Sequence, residues 1–95
     1  MIQVQLARAP CGRLVFRSQG HGEPRVCAAA SMLDYTLRAA LRCRDGVKDR
    51  EGEGWTLLHC PDTARNRDCM DVVLTGYALL EQAYPEQIQV DNGLA

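Results

Sequence analysis

The apolar residues of this chain first change period near Gly20, and that change limits the folds open to it. Before it they alternate. "IQVQLAR" sets Ile2, Val4 and Leu6 on one face, as a half-buried strand requires, and "RLVFRSQG" does the same with Leu14 and Phe16. "APCG" between them supplies a turn, since Pro10 lacks a donor and Gly12 tolerates a positive φ, so the opening reads as a β-hairpin. From Val26 to about Cys43 the spacing is helical, with Val26, Ala30, Leu33, Leu37 and Leu41 in one stripe. Alanine-rich "CAAAS" favours helix, Pro24 suits a first turn or its approach, and Gly46 in "RDG" marks the stop.

Beyond Gly46, "VKDREGEG" reads as a polar strand and turn, its acidic "DREGE" run an exposed turn, and "WTLLHC" as a buried strand. "PDTARNRD" is a loop leading into a second helix over residues 67 to 84, with Met70, Val73, Leu74, Tyr77 and Leu80 as its stripe. Pro85 ends that helix, and "QIQV" offers a short closing strand. The order β-β-α-β-β-α, with this last strand as an addition, implies an α+β two-layer sandwich: a mainly antiparallel sheet and two packed helices. Residues 1–95 form a single domain. So small a sheet leaves edges, which a homodimer would cover. Trp55 and Tyr77 are expected as core or interface anchors, and His59 as the end of a strand.

Eleven Lys and Arg against twelve Asp and Glu leave a net charge of −1, without the basic excess of a domain held on phosphates. No direct nucleic-acid binding is expected, and Arg38, Arg42 and Arg44 read as a solvated helix face. No stretch approaches the ~18 apolar residues of a membrane span, and the alternating N-terminus is not a signal peptide, so the expected location is cytoplasmic. The five cysteines are odd in number and lack C-x-x-C spacing. They point to neither a disulfide framework nor a metal site, and most read as buried small hydrophobes. No cofactor is implied.

One stretch asks for chemistry. In "GHGEPRVCAAAS", Gly20 and Gly22 bracket His21, so the backbone can turn sharply and approach a ligand, and Cys27 falls in the first turn of the first helix. Unpaired N–H groups and the positive end of the helix dipole favour a thiolate there. Small Ala28 and Ala29 leave room beside the sulfur, and Ser31 lies one turn further along the same side. A short connection can bring the His21 imidazole to the thiol, where it would take the proton and later return it to a leaving amine. Helical N–H groups near Cys27 would hold the oxyanion. The competing reading is structural: a cysteine at a helix start beside a turn.

"GH" closing the second strand and "VCAAAS" opening the first helix resemble the ribosomal-processing cysteine proteases, the Prp family, whose signature joins Gly-His to a D-I-V-C-A-A-V-S-like helix start. The likeness extends to the N-terminal hairpin and to "VVLTGYALLEQAYPEQIQV", which is similar to the family's last helix and its Tyr-Pro-Glu exit. The family removes an N-terminal extension from bacterial large-subunit ribosomal protein twenty-seven and forms α+β homodimers. The resemblance therefore implies a ribosomal-protein precursor as substrate, Cys27 as nucleophile, His21 as general base and Ser31 as a supporting residue. Two features depart from the pattern. The histidine-to-cysteine connection is roughly half the family's length, and Pro24 stands where the family has an acidic residue, with Glu23 beside it as a substitute carboxylate or a solvated turn residue. Two other functions compete: a non-catalytic binder of ribosomal protein or assembly intermediates, and a sensor thiol at Cys27 with Cys11 or Cys60 as its resolving partner.

Overall fold

A computed structural model describes residues 1–42 and 45–94 of the chain. Alternation in the first twenty residues becomes β1 (Ile2–Arg8) and β2 (Leu14–Gln19), an antiparallel hairpin with Leu6 opposite Phe16. Then come α1 (Pro24–Leu41), β3 (Lys48–Gly52), β4 (Trp55–Cys60), α2 (Ala64–Ala83) and β5 (Ile88–Asn92). The five strands form one sheet in the order β3-β4-β2-β1-β5. The β1–β2, β2–β4 and β3–β4 pairings are antiparallel, while β5 runs parallel to β1 with Ile88 beside Ile2. The architecture is the expected α+β sandwich, and the closing strand forms.

Among the described residues, helices cover one face of the sheet. Ile2, Val4 and Leu6 are buried while Gln3 and Gln5 are exposed, so α1 and α2 pack on the side the alternation marks. Tyr77 of α2 sits at the centre, fully buried, with its ring 5.9 Å from that of Phe16.

Several local expectations change. α2 starts at Ala64, inside the stretch read as a loop, because Thr63 caps it: its hydroxyl accepts the Asn66 N–H at 3.1 Å. α1 takes Pro24 as its first residue and ends at Leu41; its expected extension to Cys43, and Arg44 of the arginine face, lie outside the described residues. Arg38 is not solvated. Its side chain is 11% exposed and donates to Asp49 at 2.9 Å and Glu51 at 2.6 Å, joining α1 to β3. The "DREGE" run is thus mostly strand, still exposed, with Asp49 and Glu51 toward the helix while Lys48 and Arg50 face the open side of the sheet. Among the described cysteines only Cys60 is buried; Cys11 is exposed, and Cys27 and Cys69 are half-buried. Trp55 is no core anchor, being 43% exposed.

Candidate active site

The strand-to-helix connection holds its shape by backbone contacts. Gly20 donates its N–H to the Gly54 carbonyl at 2.8 Å and has φ +105°, a conformation that favours glycine. The neighbour Gly20 admits is the Met1 carbonyl of this same chain, which stands where a Cβ would be, and not a ligand. Gly54, in the β3–β4 turn, has φ +76°, and the Nε2 of His21 lies 2.6 Å from the place its Cβ would occupy. The imidazole therefore rests on the bare backbone of that turn.

Cys27 is in the first turn of α1, as the sequence indicates. Glu23 is the extended cap residue, and the Cys27 N–H donates to its carbonyl at 2.9 Å. The sulfur is held from both sides by Gly22, whose N–H donates to Sγ at 3.2 Å while the thiol donates to the Gly22 carbonyl at 3.3 Å. Gln87, in the segment between α2 and β5, pins the same loop: its Oε1 accepts the Glu23 N–H at 2.6 Å. The Glu23 carboxylate is solvated, 3.7 Å from Arg25, and does not line the cavity beside the thiol. Among the described residues no hydrogen bond joins His21 to Cys27, but both line one cavity of about 300 Å³.

That cavity runs along α1. Cys27, Ala30, Ser31 and Asp34 line it, at the spacing of one helical face. Ala28 does not line it, because its position on the helix turns it outward, where it is exposed; the alanine that lines it is Ala30. Gly22 acts through its backbone rather than as lining. Tyr35 and Trp55 are its exposed aromatic residues.

Sequence reasoning missed the polar group at the far end. The Asp34 Oδ2 accepts from the Thr56 hydroxyl at 2.6 Å and the Ser18 hydroxyl at 3.3 Å, and its Oδ1 lies 3.4 Å from the Tyr77 hydroxyl. Tyr77 has a better acceptor in the Ala30 carbonyl at 3.0 Å. Burial pushes the Asp34 carboxyl above the usual carboxylate range, against the two hydroxyl donors and the Arg38 charge. The signal was present: Asp34 is seven residues from Cys27, two helical turns along one face.

The other candidates lie elsewhere. Cys60 pairs with Leu14, at the opposite end of β2 from Gln19 and the cavity, and Cys11 lies in the β1–β2 turn at that same far end. Neither can resolve an oxidised Cys27, so a sensor thiol has no partner in them. His59 lies within β4 on the open face, where its Nδ1 accepts from Arg13 Nε at 2.9 Å. Burial and the nearby Arg13 and Lys48 charges hold it below the ordinary histidine range. Among the described residues no three histidine, cysteine or carboxylate groups converge on a metal position, and no helix is long and apolar enough to cross a membrane.

No protein-family model and no curated protein matches the sequence. Solved structures match the fold. The essential ribosomal processing protease Prp from S. aureus, bound to a covalently linked product peptide, superposes with a TM-score of 0.79 over 97% of this chain and 99% of that one, at 20% identity. The same protease with a substrate peptide gives 0.76 at 20% identity, over the same shares of the two chains. A protein from Streptococcus mutans gives 0.72 at 22% identity, over 98% of this chain and 97% of that one. This chain therefore has the fold of the Prp structures, the family that its Gly-His and Val-Cys-Ala-Ala-Ala-Ser motifs resemble.

Proposed function

We propose that this chain is a cysteine endopeptidase that cleaves a ribosomal-protein precursor, with Cys27 as nucleophile and His21 as general base. The observation that carries the reading is their meeting at one cavity, with the sulfur in the first turn of α1. His21 takes the thiol proton, and the Gly22 N–H and the helix N-terminus stabilise the resulting thiolate. The sulfur attacks the peptide carbonyl carbon, forming a C–S bond and an oxyanion. The N–H groups of Arg25 and Val26 lie in the first turn, where the cap supplies no side-chain acceptor, and are donors available to it. The Cys27 N–H is committed to Glu23 and Pro24 has none. The C–N bond then breaks as the amine takes the proton from the imidazolium. Water, deprotonated by His21, hydrolyses the thioester and restores the thiol.

Trp55 and Tyr35 offer the flat apolar surfaces an extended peptide needs. Ser31, exposed at the cavity, supports the site as a hydrogen-bonding group for the bound peptide. The setting is bacterial ribosome maturation in the cytoplasm, by a homodimer that covers the β3 or β5 edge. Light scattering on the purified protein tests the dimer.

One observation favours a non-catalytic binder instead: the thiol donates to the Gly22 carbonyl and not to His21. Alkylation of Cys27 across pH separates the two, read by mass spectrometry with His21→Ala alongside. A peptidase is alkylated rapidly at neutral pH, slows there without His21, and cuts a precursor peptide. Loss of cutting in Cys27→Ala completes the assignment. An ordinary thiol indifferent to His21, with no cleavage, overturns it.

A further inference from the structure

The peptide unit between Gly22 and Glu23 is bonded at both ends. Its N–H, on Glu23, donates to the Gln87 Oε1 at 2.6 Å, and its carbonyl, on Gly22, accepts from the Cys27 thiol at 3.3 Å. A trans peptide is planar with its N–H and C=O pointing opposite ways, so an acceptor on one side fixes where the carbonyl points on the other. Gln87 is itself held. Its N–H donates to the Tyr84 carbonyl at 2.9 Å and its carbonyl accepts the Ile2 N–H at 2.8 Å, where the β1–β5 pairing begins. Its Oε1 stands 2.9 Å from the place a Cβ on residue 22 would occupy, an approach that the bare Gly22 backbone permits.

The geometry points to a positioning role for Gln87: we propose that, by fixing this peptide, it keeps the Gly22 carbonyl on the Cys27 sulfur and holds the thiol proton away from His21. This role rests on the reading of Cys27 and His21 as a peptidase pair, and it governs when the pair exchanges its proton. A hydrogen bond made by the protonated form favours that form, whereas a thiolate would meet a carbonyl lone pair in place of a donor. The proton on Sγ therefore has two competing acceptors, the Gly22 carbonyl and the imidazole, and Gln87 weights the first. When the peptide turns away, Sγ gives its proton to the imidazole, and thiolate and imidazolium form together. The local chain does not fix the choice. Gly22 rotates freely about its own bonds, and Glu23, at φ −62° and ψ 158° before Pro24, is confined to the extended region without being fixed within it. The remaining constraint comes from the Gln87 side chain, 64 residues further along the sequence.

Alkylation of Cys27 by iodoacetamide in the full chain, read by mass spectrometry near neutral pH and at about pH 10, tests the role in wild type, Gln87→Ala and Gln87→Glu. Gln87→Ala is expected to react about five-fold faster near neutral pH, the equivalent of the ~1 kcal/mol of one neutral hydrogen bond. The gain vanishes at about pH 10, above the ordinary thiol value of about 8.5, where the thiol is ionised in both proteins. Gln87→Glu keeps an accepting oxygen and returns the rate to the wild-type value or below. A gain in Gln87→Ala that persists at high pH reports easier access to the sulfur and overturns the role. A rate in Gln87→Ala equal to or below wild type overturns it too, as does equal acceleration in Gln87→Glu. His21→Ala keeps the two readings apart. An unchanged Gln87→Ala beside a slowed His21→Ala removes the role of Gln87 and leaves the peptidase pair standing, whereas a wild-type rate indifferent to His21 removes the pair and this role with it.

Discussion

Replacing Gly54 with alanine adds one methyl group at a backbone position with φ +76°, where the new Cβ would stand 2.6 Å from the Nε2 of His21. Two costs follow. The left-handed conformation costs an alanine about 1–2 kcal/mol, which lowers Tm by about 4–8 °C for each kcal/mol in a domain of this size. The contact is also closer than carbon and nitrogen tolerate, so the imidazole must retreat by roughly 1 Å, a misplacement that costs on the order of 100-fold in rate. Gly12 separates the two effects. It has φ +91° in the β1–β2 turn, and a Cβ there meets nothing within 4 Å. Gly12→Ala and Gly54→Ala are expected to lose similar stability in a thermal melt. Only Gly54→Ala is expected to slow peptide cleavage and the His21-dependent alkylation of Cys27, measured well below either melting temperature. Equal rate losses in the two variants, or none in Gly54→Ala, refute the placement of His21 on this turn as a determinant of activity.

Other expectations concern the same surroundings. Gln87→Ala removes the acceptor of the Glu23 N–H and is expected to cost about 1 kcal/mol, with faster amide hydrogen exchange across residues 20–23 as the local readout. Because the folded Asp34 titrates above its unfolded value, its contribution is fully present below about pH 3.8 and is lost as pH rises through the raised value. Asp34→Asn should therefore melt higher than wild type at pH 7, by a margin that closes toward pH 4; a margin constant with pH contradicts the burial argument. His59, held low by burial and by Arg13, stabilises the fold above about pH 6.5, and that contribution fades as pH falls through its depressed value. An NMR titration should place its midpoint below the ordinary 6.5, and Arg13→Ala should raise it.

The parts of the site legible in the sequence are those built from neighbours along the chain. Cys27 falls in a first helical turn because Pro24 and the alanines set the helix, and His21 precedes it because the strand alternation stops at Gln19. Asp34 was legible in principle, through its seven-residue spacing from Cys27. Ser18 and Thr56 alternate inward with Phe16 and Leu58, so they too were marked for the helix side of the sheet. What no spacing states is that these three and Tyr77, from four different elements, meet at one carboxylate. Of the two places expected for Trp55, core or interface, the core is excluded, because its position beside the β3–β4 turn leaves it exposed at the mouth of a cavity. The early start of α2 was missed for a local reason: a threonine cap changes the state of three following residues without altering their polarity.

The sequence by itself determined the element order, the buried faces of β1, β2 and the two helices, and the residues that open the first helix. All of these follow from periodicity and from the backbone limits of proline and glycine. The tertiary structure alone decided the contacts that join distant segments: β5 beside β1, the Gly54 turn under His21, the Gln87 side chain on the Glu23 amide, and Asp34 among hydroxyls at the end of the cavity. Such contacts depend on how the two layers stack and on which loops the stacking brings within hydrogen-bond reach. That is a property of the packed chain, which local propensity does not encode.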